Sequence, residues 1–123
     1  MELTMSSKTE QLVKKLLNET KSGDIDWEVC ETPRSLDQDT EQSVPLFLKS
    51  EYKGKYIGVY DLRTKHFYDE HEFYWSESIG LCIVDDRDRV VWEANEYFPA
   101  LLDLFNIARE KAAGLDDILN DLI

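Results

Sequence analysis

Apolar residues recur at helical spacing early in the chain, alternate with polar ones through its middle, and return to helical spacing at the end. In the first segment Leu12, Val13, Leu16 and Leu17 share one helical face. Ser7 and Glu10 stand at capping-box spacing, and Gly23 can supply the left-handed residue that ends a helix. "DIDWEVCE" then changes period. Ile25, Trp27 and Val29 alternate with acids, as in a half-buried strand. Residues 31–43 are polar, acidic and irregular, and read as a mobile loop. "VPLFLKSEYKGKYIGVYDL" reads as two strands turning at Lys53-Gly54, where glycine permits the positive φ of a two-residue hairpin. Leu46, Leu48 and Tyr52 fall on one face of the first strand. Ile57 and Val59 share a face of the second, with Tyr56, Tyr60 and Leu62 opposite. A further hairpin runs from "EFYWSESIGLCIVD" through "DDRD" into "RVVWEA". Phe73, Trp75, Ile79, Leu81 and Ile83 share one side of its first strand.

Helical period returns with Asn95 as the expected N-cap and Pro99 in the first turn. Phe98, Leu101, Leu102, Phe105, Ala108 and Ala112 form the apolar face, and Gly114 ends it. "LDDILNDLI" carries a second stripe of Leu115, Ile118, Leu119, Leu122 and Ile123. The pattern predicts one α+β domain over residues 1–123. It would have an N-terminal helix, an antiparallel sheet of about five strands in hairpins, and two C-terminal helices packed on one sheet face. The other face should show Tyr56, Tyr60, Tyr74, Ser76 and Ser78 to solvent. The two free edges of such a sheet allow a homodimer.

Charge sharpens this picture. The 123 residues carry a formal net charge of −12. That charge repels nucleic acid and anionic membranes and favours a partner protein with a basic surface. No segment is apolar enough for a membrane span, and the N-terminus lacks a signal-peptide pattern, so the chain reads as cytoplasmic. Cys30 and Cys82 are far apart and read as free thiols, with Cys82 a small apolar strand residue.

Candidate chemistry concentrates in "TKHFYDEHEFYW", which holds both histidines. A metal or acid–base enzyme would use His66 and His71 with Asp69, Glu70 or Glu72. Histidines five apart share neither a helix face nor a strand face, however, and no nucleophile or phosphate-loop signature stands nearby. Phe67, Phe73 and Trp75 read as core residues, as do Trp27 and Trp92. The segment therefore reads better as a recognition surface of Tyr68, Asp69, Glu70, Glu72 and Tyr74. The acidic loop adds Asp37, Asp39 and Glu41, whose charge would serve solubility or mimic that of a nucleic acid. A third reading is a nucleotide-like ligand held by Lys53, Lys55, Arg63 and Lys65, should these gather at one mouth. No cofactor is expected.

Thr20, Gly23, Ile25 and Trp27 at their spacing, together with the terminal "GLDDILNDL", resemble small α+β proteins of bacteria and their phages. The resemblance implies a fold with few helices and a setting near mobile elements. It assigns no activity and no functional residue. Small acidic proteins in such a setting often act as inhibitors, immunity proteins or anti-defence proteins. The expectation is a non-catalytic acidic module that blocks a basic partner surface.

Overall fold

The computed structural model describes residues 5–37, 41–94 and 98–123. Within them the changes of period become three helices and a five-stranded antiparallel sheet. Helix α1 is Met5–Lys21 and helix α2 is Pro99–Ala113, followed by helix α3, Leu115–Leu122. The strands are β1 (Glu28–Cys30), β2 (Gln42–Tyr52), β3 (Lys55–Phe67), β4 (Phe73–Val84) and β5 (Val90–Ala94). They lie side by side in chain order, so every connection is local. The architecture is the α+β arrangement that the periods imply.

Local chemistry accounts for the turns. Lys53 (φ 52°) and Gly54 (φ 79°) are both left-handed, as the two-residue turn between β2 and β3 demands, and Tyr52 pairs with Lys55. Between β4 and β5, Asp85 Oδ1 accepts the backbone N–H groups of Arg87 and Arg89, each at 2.9 Å, while Oδ2 holds the Arg89 side chain at 2.8 Å. The Arg89 N–H leads these contacts in holding the Asp85 carboxyl below its usual value. Gly23 (φ 85°) ends α1. That helix begins at Met5, so Ser7 stands inside it and is not the expected cap. Likewise, Phe98 caps α2, with Pro99 at the first position; Asn95 lies outside the described residues.

The main core joins Val13 and Leu16 of α1, Leu101, Leu104, Phe105 and Ala108 of α2, and Leu48, Ile57, Val59 and Leu81 of the sheet. Leu104 replaces Leu102 at the buried centre of α2, and Leu102 is exposed. Trp27 is buried here and donates its indole N–H to Thr20 Oγ1 at 3.0 Å. That hydroxyl in turn donates to the Leu16 carbonyl at 2.7 Å, so the buried indole and hydroxyl are both satisfied. Trp92 is half-buried against the same core. Val29, expected beside Ile25 and Trp27, is exposed because it sits on the short edge strand β1.

The second sheet face departs from expectation. Phe47, Tyr60, Leu62, Cys82 and Val84 form a second core with Val44. Part of the loop read as mobile contributes to it: Arg34–Leu36 makes a 3-10 turn, Pro33 is buried, and Leu36 packs on the cluster. Tyr60 is thus buried instead of facing solvent, and its hydroxyl donates to Glu93 Oε2 at 3.3 Å. Strand glycines make room for the rings. A Cβ on Gly80 would strike the Tyr60 ring, and one on Gly58 would strike the Phe47 ring and Cys82.

Helix α3 is the more peripheral of the two C-terminal helices. The fold brings both C-terminal helices to the sheet, but no α3 residue is buried, and its principal packing is on α2. Ile118, Leu119, Leu122 and Ile123 are exposed.

Candidate recognition arm

Strands β3 and β4 are longer than their neighbours. They pair from Tyr56↔Val84 to Phe67↔Phe73, whereas β2 follows β3 only as far as Gln42↔Thr64. One more bond, from Lys65 N–H to the Glu41 carbonyl at 2.8 Å, ties the acidic loop to the start of this overhang. On the other side, the described pairs between β5 and β4 begin at Leu81↔Ala94. The distal half of the hairpin is therefore an arm, closed at its tip by a bond from Tyr68 N–H to the Glu72 carbonyl. The arm extends past the helices, so apolar side chains that alternate correctly for a core remain outside one. Phe67, Tyr68, Phe73, Tyr74 and Trp75 are between 41% and 67% exposed. The expectation that Phe67, Phe73 and Trp75 are core residues is corrected on this ground.

Alternation gives the arm two distinct faces. On the helix side, Phe67, Phe73 and Trp75 form a ring cluster. Phe67 and Phe73 have centroids 5.6 Å apart, and Trp75 meets Phe73 edge-on at 6.1 Å. The Lys65 ammonium lies over all three rings, nearest Phe73 at 4.0 Å. On the opposite side His66 stacks on Tyr74 at 5.2 Å, and Tyr68 lies 6.3 Å from Tyr74. His66 Nε2 and Ser76 Oγ are 2.6 Å apart. Asp69, Glu70, His71 and Glu72 form the exposed tip. Glu72, beside the Tyr68 hydroxyl, holds that phenol above its usual value.

The structure thus brings Tyr68, Asp69, Glu70, Glu72 and Tyr74 together on one tip and face. Glu41 reaches the base of the arm. Asp37 is exposed at the end of the 3-10 turn, and Asp39 lies outside the described residues. Lys53 and Lys55 sit at the far end of β3 from Arg63 and Lys65, separated by roughly 25 Å at about 3.3 Å per residue. Arg63 is also engaged, 2.9 Å from Glu77. The four cations do not share a mouth. Among the described residues, no group of three or more His, Cys, Asp and Glu side chains is placed to hold a metal. Nor is any helix among them long and apolar enough to cross a membrane.

Sequence reasoning missed two features. One is the His66–Ser76 contact, because the residues are ten apart and meet only through the β3–β4 register, one step beyond the direct pair Thr64↔Ser76. The other is a groove of about 400 Å³ between α2 and the outer part of β4, floored by Ile79, Phe98, Leu102 and Phe105. Asp61, Glu77 and Arg109 stand around it. Burial, reinforced by the Glu77 carboxylate, pushes the Asp61 carboxyl up despite Arg63 and Arg109. Compared with family models, curated proteins and solved structures, this chain has no match, so its α+β fold and its arm stand on their own geometry.

Proposed function

We propose that this chain is a non-catalytic, cytoplasmic, acidic protein-binding module that blocks a basic surface of another protein. The observation that carries the reading is the arm. It projects exposed Tyr68 (67%) and Tyr74 (56%) around a tip of three carboxylates, Asp69, Glu70 and Glu72. Tyrosines supply contact area at small rotamer cost, and rim carboxylates steer a basic partner. The net charge of −12 supports a protein partner over nucleic acid. Free Cys30 and Cys82 suit a reducing compartment. An inhibitor, immunity or anti-defence role would use such a blocking surface.

Affinity capture with wild type, with the Asp69→Ser/Glu70→Ser/Glu72→Ser chain and with Tyr74→Ala tests this. The expected result is one basic protein retained by wild type, lost from the triple variant, and released as salt rises. Retention of the same protein by all three chains would overturn the reading.

The His66–Ser76 contact favours one alternative, a hydrolase with Ser76 as nucleophile and His66 as base. No hydrogen bond to the second imidazole nitrogen appears among the described residues, and the pair lies on an exposed strand face. Labelling of Ser76 by a fluorophosphonate, abolished by His66→Ala, would establish it.

A further inference from the structure

The outer edge of β4 has the chemistry of an interface with a second copy of itself. Leu81 and Ile83 are paired with Ala94 and Trp92 of β5. Backbone groups alternate in direction along an antiparallel strand, so Phe73, Trp75, Glu77 and Ile79 turn their N–H and C=O groups to the same outer side. Over Phe73–Gly80 that side has no strand partner among the described residues. The stretch contains no proline, no lysine and no register shift, the usual devices that protect an edge. Its single charge, Glu77, is already paired with Arg63. Although the whole chain is strongly acidic, this edge is nearly neutral.

We propose that two copies pair antiparallel along β4 about a two-fold axis at Ser76, joining their sheets into one. A two-fold normal to the sheet sets each residue opposite one on the same face, which leaves few registers. Centring on Glu77 would place the two Glu77 carboxylates directly opposite each other, a destabilising pair. Centring on Ser76 sets Trp75 against Glu77 of the second copy and Phe73 against its Ile79. Small serines meet at the axis, and about eight backbone bonds can form from the outward groups.

The same register matches two surfaces of this molecule that are otherwise unrelated. Phe73 arrives beside Ile79 of the second copy, at the mouth of the groove floored by that copy's Phe98 and Leu102. Lys65, spread over Trp75 and Phe73, comes to the groove's rim, where Asp61 and Glu77 stand with Arg63 and Arg109. An aromatic knob thus meets an apolar groove, twice by symmetry. Aromatic rings bury about 150–250 Å² each when fully covered. Phe73 and Trp75, now 41% and 47% exposed, together with the paired edges, make an interface on the order of 1,000 Å². An interface of that size is at the low end, among weak and reversible associations. The pairing leaves Tyr68 and the acidic tip outside the paired stretch and turns the Tyr74 ring to the opposite sheet face, beside Ser78 of the second copy, so it does not depend on the proposed function.

Sedimentation equilibrium between a few and about a hundred micromolar, at low salt and in 0.5 M NaCl, tests the proposal. Wild type is expected at twice the 14.4 kDa chain mass at the higher concentrations. Glu77→Pro removes an outward N–H while sparing the bonds to β3, and should raise the dissociation constant at least tenfold. Phe73→Ser/Trp75→Ser should do the same without touching the backbone. Circular dichroism and melting temperature identify a variant that has failed to fold, and the other variant then decides. The Asp69→Ser/Glu70→Ser/Glu72→Ser chain should dimerise like wild type, which separates failure here from failure of the tip reading. A wild-type monomer at every concentration and salt would overturn the proposal. So would a dimer that survives both edge variants but is lost with Leu119→Asp, since that would place the contact on α3.

Discussion

A Cβ on Gly80 would run into the Tyr60 ring, and this steric fact decides how much the second core tolerates. Tyr60 is 1% exposed and fixed between neighbouring strands, so it has little room to move. Gly80→Ala should therefore destabilise the fold by about 1–3 kcal/mol, as overpacking does, measurable by urea denaturation. The buried Cys82 thiol, pushed up to about 12 by desolvation, should resist a thiol reagent at pH 8 until the protein unfolds. One slowly reacting group per native chain, Cys30, is the expected count; two would mean that the second core opens readily. Asp61 gives a pH signature. Its folded pKa is raised, so its contribution favours the folded state below the unfolded pKa and is lost as pH rises through the folded value. Asp61→Asn should raise the melting temperature slightly at pH 7, with the gain vanishing as the pH is lowered past the carboxylate range.

At the scale of elements, α3 contrasts with α2. Both are amphipathic, but α2 buries four residues and α3 none. Helices this short are marginal in water without packing, and the Leu115–Ile123 stripe expected to dock packs mainly on the flank of α2 and buries no residue. Hydrogen exchange should find the α3 amides orders of magnitude faster than those of Leu104 and Phe105. Deleting residues 115–123 should leave the melting temperature nearly unchanged. A drop of many degrees would mean that the stripe is covered in solution. The β2–β3 hairpin behaves oppositely, because its turn chemistry and both of its faces agree with one structure.

For the whole molecule, charge and shape separate the two proposed kinds of association. Binding at the acidic tip should weaken as salt rises, mainly through slower association, because the Debye length is about 10 Å at 0.1 M. Tyr68→Ala or Tyr74→Ala should instead speed dissociation, since buried rings hold through contact area. Surface plasmon resonance against the captured partner reads both rates. Unchanged association for Asp69→Ser/Glu70→Ser/Glu72→Ser would remove the steering role. Pairing through β4 has no such attraction at long range. Two chains of −12 repel, so added salt should preserve or tighten the dimer.

Residue order alone determined the class of fold. Period 3.6 and period 2 are local properties of the chain, and Lys53-Gly54 and Gly114 mark boundaries by backbone chemistry at single positions. It also brought out the residues of the tip, because Tyr68 to Tyr74 are adjacent in the chain. Which apolar residues become core was decided only by the tertiary structure. Phe73, Trp75 and Leu81 share one alternating face, yet Leu81 lies under the helices and the two rings lie beyond them. Tyr60 was expected in solvent and is buried in a cluster on which Leu36 packs, a residue from a loop whose composition is polar. Alternation states which side a residue faces. Whether anything covers that side depends on the lengths of neighbouring strands and on contacts far apart in the chain, and no local pattern contains either.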